Sequence, residues 1–99
     1  MKVLVLGCGS SVGSPVVGRD CSNVDEKNWR TRSSVYISIN DKNILIDTGP
    51  DFRYQAIKHD IRSIDFVLYT HSHADHTHGI DDLRIYSYSR PDRINCFGN

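Results

Sequence analysis

Four of the five histidines of this 99-residue sequence lie within eight residues, from His71 to His78, in the order His-Ser-His-Ala-Asp-His-Thr-His. The preceding segment, residues 65–70 (Asp-Phe-Val-Leu-Tyr-Thr), predicts a buried strand. Imidazole nitrogens and carboxylate oxygens are the ligand atoms that zinc and manganese prefer. The fold must therefore end a strand at a polar edge, where the sequence predicts a metal site.

The spacing within this segment predicts two neighbouring metal ions. Alternate side chains of an extended segment point to the same side, so His71 and His73 can converge on one ion. Asp75 and His76 follow after the chain has turned and can hold the other. Two ions about 3.5–4 Å apart can bind a hydroxide between them and stabilise both oxygens of a displacement at phosphorus. The alternative is a solvent-exposed His-rich loop that binds metal only by accident.

The motif His71-Ser-His-Ala-Asp-His76 resembles the signature of the metallo-β-lactamase-fold hydrolases. Residues 45–50 are similar to the family's strand that ends in an acidic residue, and residues 3–15 to its first strand and glycine-rich loop. Residues 30–35 and 76–84 resemble one branch of the family. That branch holds the phosphoribosyl cyclic phosphate phosphodiesterase of phosphonate breakdown, close to the 3′-tRNA-processing endonucleases. The resemblance spans essentially the whole chain.

The resemblance implies an α/β fold (α+β by some schemes), namely the N-terminal half of an αββα metallo-β-lactamase sandwich, with a mixed β-sheet and helices on one face. The family completes its site with a third histidine, a bridging aspartate and a last histidine, all later in its sequences. After His78 this chain offers only Asp81, Asp82 and Asp92 as further candidate ligands of these types. We therefore expect residues 1–99 to be the N-terminal part of a single domain, truncated before the remaining ligand motifs.

Hydrophobic patterns predict the other elements. Short strands are expected at residues 3–6, 35–39 and 44–47, with a mostly irregular loop over residues 7–32. One helix is expected from Thr48 to about Lys58, with Phe52, Ala56 and Ile57 on its buried face, and another from near Thr77. A strand at residues 94–97 precedes Asn99, a suitable helix N-cap.

The predicted strands carry more apolar residues than two helices can cover. We expect the helices near Phe52 and Leu83 to cover one face of the predicted sheet, and the other face to lie against a second sheet. The strand residues assigned to this packing are Val35, Ile37, Ile39, Ile44, Ile46, Val67 and Leu68.

Asp47 and Asp75 are the candidate catalytic carboxylates. Asp47 ends a predicted buried strand, where a carboxylate is costly unless it is paired. The resemblance places Asp47 behind the metal ligands, where it holds an imidazole by a hydrogen bond. The alternative is an aspartate that caps the following helix.

Four further residues are candidates for binding substrate. The backbone amides of Ser10 and Ser11, in the glycine-rich loop, can meet a phosphate, although a plain turn is the alternative. His78 can contact substrate or donate a proton, or be an ordinary surface histidine. Arg84 can hold a phosphate, or form local ion pairs on a solvated helix face.

The composition excludes a general attraction to polyanions. Twelve Lys and Arg residues offset twelve Asp and Glu residues, so no overall basic field draws the chain to nucleic acid or to a membrane surface. No apolar run approaches the roughly 20 residues of a membrane helix. Three cysteines without a Cys-x-x-Cys pair predict a reducing compartment, the cytoplasm.

These observations predict a metal-dependent hydrolase with two divalent metal ions, zinc or manganese, and a bridging hydroxide. The resemblance implies a phosphodiesterase that acts on small cyclic phosphodiesters and is a homodimer when intact, whereas the 99-residue chain alone is expected to be inactive. Cleavage of RNA at tRNA 3′ ends is the alternative within this fold. A non-catalytic metal-binding or interaction fragment is the alternative of another class.

Overall fold

The computed structural model describes residues 1–88, 90 and 92–98. Asn99 lies outside the described residues, and with it the predicted helix cap. The strands are β1 (Lys2–Gly7), β2 (Ser34–Ile39), β3 (Lys42–Ile46), β4 (Phe66–Leu68) and β5 (Asn95–Phe97). The helices are α1 (Phe52–Lys58), α2 (Ala74–Thr77) and α3 (Arg84–Tyr88), with 3-10 turns at Glu26–Asn28 and Ile80–Leu83.

The strands form one mixed sheet in the order β1-β2-β3-β4-β5. The first three strands pair antiparallel, while β3 pairs with β4, and β4 with β5, in parallel. Parallel neighbours require a crossover, and the segments that contain α1 and then α2 and α3 supply them. The predicted fold class, a mixed sheet with helices, is confirmed.

The helices cover one face of this sheet, as predicted. Leu45 and Val67 lie side by side on neighbouring strands of that face and are completely buried. Burying each of these side chains contributes roughly 1.5–3 kcal/mol. The remaining members of the core come from β1, α1, the segment before β4 and the turn before α3, and they are Leu6, Phe52, Ala56, Ile61, Ile64 and Leu83.

The assignment of Ile57 to the buried face of α1 is wrong. Phe52 and Ala56 are buried on α1 as predicted, but Ile57 is 63% exposed. Successive helical residues are rotated by about 100°, so the residue after Ala56 points away from the sheet. Gln55, which precedes Ala56, is buried in its place.

The opposite face of the sheet is apolar and has no helix on it among the described residues. One row of this face runs through Val5, Val35, Ile46, Leu68 and Phe97, one residue from each strand. Val5 is 56% exposed, Leu68 40% and Phe97 53%. A contiguous apolar surface of this kind marks a site of association.

The assignment of strand residues to the helix-covered face therefore needs correction. Val67 lies there as predicted, but six of the assigned residues alternate onto the open face: Val35, Ile37, Ile39, Ile44, Ile46 and Leu68. The same alternation exposes Val3 and Val5 on β1. Leu6 is the one residue of β1 that is buried. Successive strand side chains point to opposite faces, and only one face is covered here.

None of the helices that the structure describes is long and apolar enough to span a bilayer.

We predict that the open face drives association of the chain. Light scattering across a concentration series should give a mass above that of a monomer. Leu68→Lys should lower that mass, because the charge would have to be desolvated in the contact. Ile57→Lys is the matched control, since Ile57 is also exposed but lies on α1. A cooperative monomer at high concentration would contradict the prediction.

Candidate metal centre

Two parallel strands end side by side and bring Asp47 to the His-rich segment. Asp47 directly follows β3, and its backbone N–H donates to the carbonyl of Leu68, the last residue of β4, at 2.9 Å. The chain continues from β4 through Tyr69 and Thr70 to His71. Because the carboxyl ends of parallel strands meet at one edge of a sheet, the segments after β3 and β4 must come together there.

Asp47 is buried in a left-handed backbone conformation, with φ of 64° and 3% of its surface exposed. Its carboxylate accepts three hydrogen bonds: from the Thr70 N–H at 2.8 Å, from the Thr70 hydroxyl at 2.7 Å and from Nδ1 of His76 at 2.7 Å. The alternative role, capping α1, does not fit, because the N-cap of α1 is Asp51. These bonds satisfy a carboxylate that would otherwise be costly to bury.

The predicted ligands lie close together at this edge. The ring centroids of His71 and His73 are 4.7 Å apart, and those of His71 and His76 are 4.0 Å apart. Oδ2 of Asp75 lies 3.0 Å from Nε2 of His76. Within residues 1–88, 90 and 92–98, no three His, Cys, Asp or Glu side chains are arranged to hold one ion. The segment thus offers neighbouring donors without a complete ligand set, and their roles as ligands stay predictions.

The helix after the motif begins earlier than predicted. Helix α2 runs from Ala74 to Thr77, so Asp75 and His76 lie within its single turn, and His73 is its N-cap. The predicted start near Thr77 is wrong because this turn ends before Gly79, which separates it from the 3-10 turn at Ile80–Leu83. The change of chain direction expected between His73 and Asp75 is the start of α2.

Two glycines let the loop after β3 touch the motif. The Thr48 N–H donates to the His76 carbonyl at 2.9 Å, and the Gly79 N–H donates to the Thr48 carbonyl at 2.8 Å. A Cβ atom on Gly49 would lie 2.4 Å from the Asp75 carbonyl oxygen, and one on Gly79 would lie 2.0 Å from the Gly49 carbonyl oxygen. No other residue fits at either position without moving the backbone.

A pair of hydroxyl groups lies beneath the site. The hydroxyl of the fully buried Thr48 is 2.8 Å from that of Tyr69. Burial raises the pKa of the Tyr69 phenol still further above neutral, so the protonated hydroxyl is the form that pairs with Thr48.

The candidates for substrate binding are more dispersed. Ser10 begins a turn in which the Gly13 N–H donates to its carbonyl at 2.9 Å. The Ser11 carbonyl accepts a hydrogen bond from Nε of Arg32 at 3.1 Å, and the Arg32 guanidinium lies 3.2 Å from the Asp51 carboxylate. These contacts tie the glycine-rich loop to the loop between β3 and α1. A role for Ser10 or Ser11 in phosphate binding stays a prediction.

His78 and Arg84 lie on the helical segment after the motif. His78 is exposed at the C-cap of α2. The Arg84 guanidinium is 3.4 Å from the Asp81 carboxylate, and both side chains are mostly exposed. This is the local ion pair of the alternative interpretation, and contact of either residue with substrate stays a prediction.

Sequence reasoning missed Thr70, whose backbone and side chain both bind Asp47. It had been assigned only to the end of the preceding strand, but β4 already ends at Leu68. The available signal was a hydroxyl directly before the first histidine, in a segment that would lie beside a buried carboxylate.

Comparison with known sequences gives a family match and two informative relatives. The sequence profile described as the beta-lactamase superfamily domain matches residues 42–98. An octanoyltransferase of Porphyromonas gingivalis is 48% identical over 95 residues, which are 91% of this chain and 19% of that protein. A ribonuclease Z of Clostridium kluyveri is 31% identical over 85 residues, 84% of this chain and 24% of that protein. The chain spans less than a quarter of the length of either relative.

Solved structures share the fold of this chain. A diphosphatase from the PhnP family superposes with a TM-score of 0.91 at 44% identity, over 98% of this chain and 41% of that one. Human tRNase Z, short form, gives 0.69 at 25% identity, over 97% of this chain and 34% of that one. The Zn(2+)-bound PqqB of Methylobacterium extorquens gives 0.71 at 21% identity, over 98% and 45%, which shows the fold alone.

We predict that Gly79→Ala lowers the free energy of unfolding by about 2–3 kcal/mol, because the new methyl group overlaps the Gly49 carbonyl and overpacks the site. Gly18→Ala is the comparison, since Gly18 has open space around it and a φ of 81°. The free energy of unfolding of that variant should fall by only about 1 kcal/mol, the cost of a left-handed backbone conformation for alanine. Urea denaturation measures both. Equal losses would mean that the contact between Gly49 and Gly79 is not close.

Proposed function

The chain belongs to the beta-lactamase superfamily and has the fold of its metal-dependent hydrolases, and from this premise we propose that it carries part of a two-metal phosphodiesterase site. Histidine and carboxylate donors of the kind that zinc and manganese prefer lie at the carboxyl edge of the sheet, which supports the proposal.

One observation carries the proposal. Nδ1 of His76 is 2.7 Å from the Asp47 carboxylate, so a hydrogen must lie on Nδ1. In a neutral imidazole the other ring nitrogen, Nε2, then has only a lone pair. That lone pair faces Oδ2 of Asp75 at 3.0 Å. Two electron-rich atoms at this separation require a positive charge, either an additional proton or a shared cation.

The donor atoms of the motif are of the types that a pair of metal ions would need. His71 and His73 would hold one ion, and Asp75 and His76 the other. When bound, the ions would act as Lewis acids toward the phosphoryl oxygens and lower the pKa of water. Asp47 would orient His76 by the hydrogen bond described above. Together with Asp75 it forms the proposed catalytic carboxylate pair.

The remaining ligands would come from outside these residues. A catalytic zinc takes three protein ligands and a water, and the motif supplies two donors for each proposed ion. The chain covers 41% of the diphosphatase structure. We therefore propose that residues 1–99 form the N-terminal part of one metallo-β-lactamase-fold domain. The homodimer and the cytoplasmic location implied by the resemblance and the cysteine pattern stay part of this proposal.

Small cyclic phosphodiesters are the proposed substrates. The 44% identity to a diphosphatase of the PhnP family supports hydrolysis at phosphorus. Ser10, Ser11, His78 and Arg84 stay the candidates for contacting the substrate. The match to the octanoyltransferase covers only 19% of that protein, so an activity named for the whole of it need not belong to the matched part.

RNA is the second candidate substrate. The 31% identity to a ribonuclease Z and the similarity to human tRNase Z favour it. The neutral net charge of this chain does not, because a polyanion as large as tRNA is attracted by basic surface. Competition of tRNA and of a small cyclic phosphodiester against a chromogenic substrate, in a longer active polypeptide that contains these residues, separates the two candidates.

The first prediction from this proposal concerns metal binding. Zinc titration should show binding to the chain that is at least about tenfold weaker in His71→Ala/His73→Ala, because two ligands are lost. His59→Ala is the matched control, since His59 is the one histidine outside residues 71–78 and lies at the C-cap of α1. Equal affinity of the chain and the double variant would exclude the motif as the site.

The second prediction concerns activity. The 99-residue chain should not hydrolyse bis(p-nitrophenyl) phosphate, because its motif provides two donors for each ion where a catalytic zinc needs three. A longer polypeptide that contains these residues and the remaining ligands should hydrolyse it with added manganese or zinc, and chelator should stop the reaction. Strong turnover by the chain itself would contradict the proposal that ligands are missing from it.

A further inference from the structure

The Thr70 hydroxyl links the buried carboxylate to the first histidine of the motif. Its Oγ1 lies 2.7 Å from Oδ2 of Asp47 and 2.9 Å from Nδ1 of His71. Oδ2 of Asp47 also accepts a hydrogen bond from Nδ1 of His76. Both imidazoles are therefore connected to the same carboxylate oxygen, His76 by a direct hydrogen bond and His71 through the Thr70 hydroxyl.

The direction of these hydrogen bonds follows from a count of hydrogens. An ionised carboxylate only accepts, so the single hydroxyl hydrogen of Thr70 must point to Asp47. The Thr70 oxygen then has only lone pairs for His71, and Nδ1 of His71 must carry a hydrogen. A neutral imidazole with a hydrogen on Nδ1 leaves Nε2 as its free donor atom.

We infer that Thr70 is a positioning residue that fixes the tautomer of His71, so that the Asp47 carboxylate holds a hydrogen on Nδ1 of both His71 and His76 and leaves Nε2 of each ring as the nitrogen directed away from Asp47. The inference rests on the proposed function only for the use of those nitrogens, since the tautomers themselves follow from contacts within the chain. Thr70 touches neither a reacting atom nor a metal ion in this assignment.

The backbone of Thr70 allows this role to be separated from a merely structural one. Its N–H donates to Oδ1 of Asp47 at 2.8 Å, and that bond survives any substitution of the side chain except proline. Thr70→Val keeps this bond and the branched shape and removes only the hydroxyl. Thr70→Ser keeps the hydroxyl and is the matched control.

Asp47→Asn tests the carboxylate end of the hydrogen-bond relay, which runs from Asp47 through Thr70 to His71. Asparagine tolerates the left-handed backbone of this position. Its amide oxygen can accept from the Thr70 N–H, which places the NH₂ group where Oδ2 lies now. The NH₂ group donates, so Nδ1 of His76 must become an acceptor. The Thr70 hydroxyl is then released to donate to His71, and both imidazoles should carry their hydrogen on Nε2.

Long-range ¹H–¹⁵N correlation of the imidazole rings in the metal-free full chain, in mildly alkaline buffer, is the test. We expect a hydrogen on Nδ1 of both His71 and His76 in the chain. In Thr70→Val, we expect only His71 to shift toward the mixture of tautomers of a free imidazole. Thr70→Ser should match the chain, and Asp47→Asn should change both rings. Backbone amide shifts confirm that each variant is folded.

Two results would overturn the inference: an unprotonated Nδ1 on His71 in the chain, or a His71 tautomer that is the same with Thr70→Val. Zinc titration is the second readout. Thr70→Val should weaken binding about tenfold and Thr70→Ser by no more than about twofold, as for other residues that orient metal ligands. Tautomers as expected, together with no zinc binding by any variant, would support the relay and count against the proposed function.

Discussion

The buried carboxylate of Asp47 is the interaction on which the rest of this edge depends. It lies in the interior at the end of β3, where an unpaired charge would be strongly destabilising. Its three hydrogen bonds all come from Thr70 and His76, that is, from the segment after the neighbouring strand. The carboxylate therefore requires the motif for its own burial, and the motif takes its conformation from the carboxylate.

This dependence arises from the topology of the sheet. Strands β3 and β4 are parallel neighbours, and α1 joins them. Their carboxyl ends therefore bring Asp47 and His71 to the same edge of the sheet. The side chains meet there because the two loops touch through backbone contacts at Gly49 and Gly79. A larger residue at either glycine would separate the carboxylate from the imidazoles without altering any donor atom. The geometry of the site is thus set by residues that carry no reactive group.

Much of this arrangement was predictable from the sequence, and the rest depended on information that a one-dimensional pattern lacks. The composition of the motif predicted that His71, His73, Asp75 and His76 act together, and these side chains lie close together in the structure. The position of Asp47 at a strand end indicated a carboxylate in need of partners. Strand periodicity gave the alternation of side chains, but both faces of these strands are apolar, so it did not indicate which face the helices cover. Thr70 was missed because its function lies in a contact across two loops.

The open face of the sheet and the His-rich motif are neighbours in the structure. The apolar row at the carboxyl edge of β3 and β4 includes Ile46 and Leu68. Ile46 directly precedes Asp47, and Leu68 lies two residues before Thr70. Any element that buries this row must lie beside the motif, where its own polar side chains are within reach of the donors. Under the proposed function, an element that covers the apolar face would also bring side chains within reach of the proposed ligands, so metal should favour the associated state by mass action.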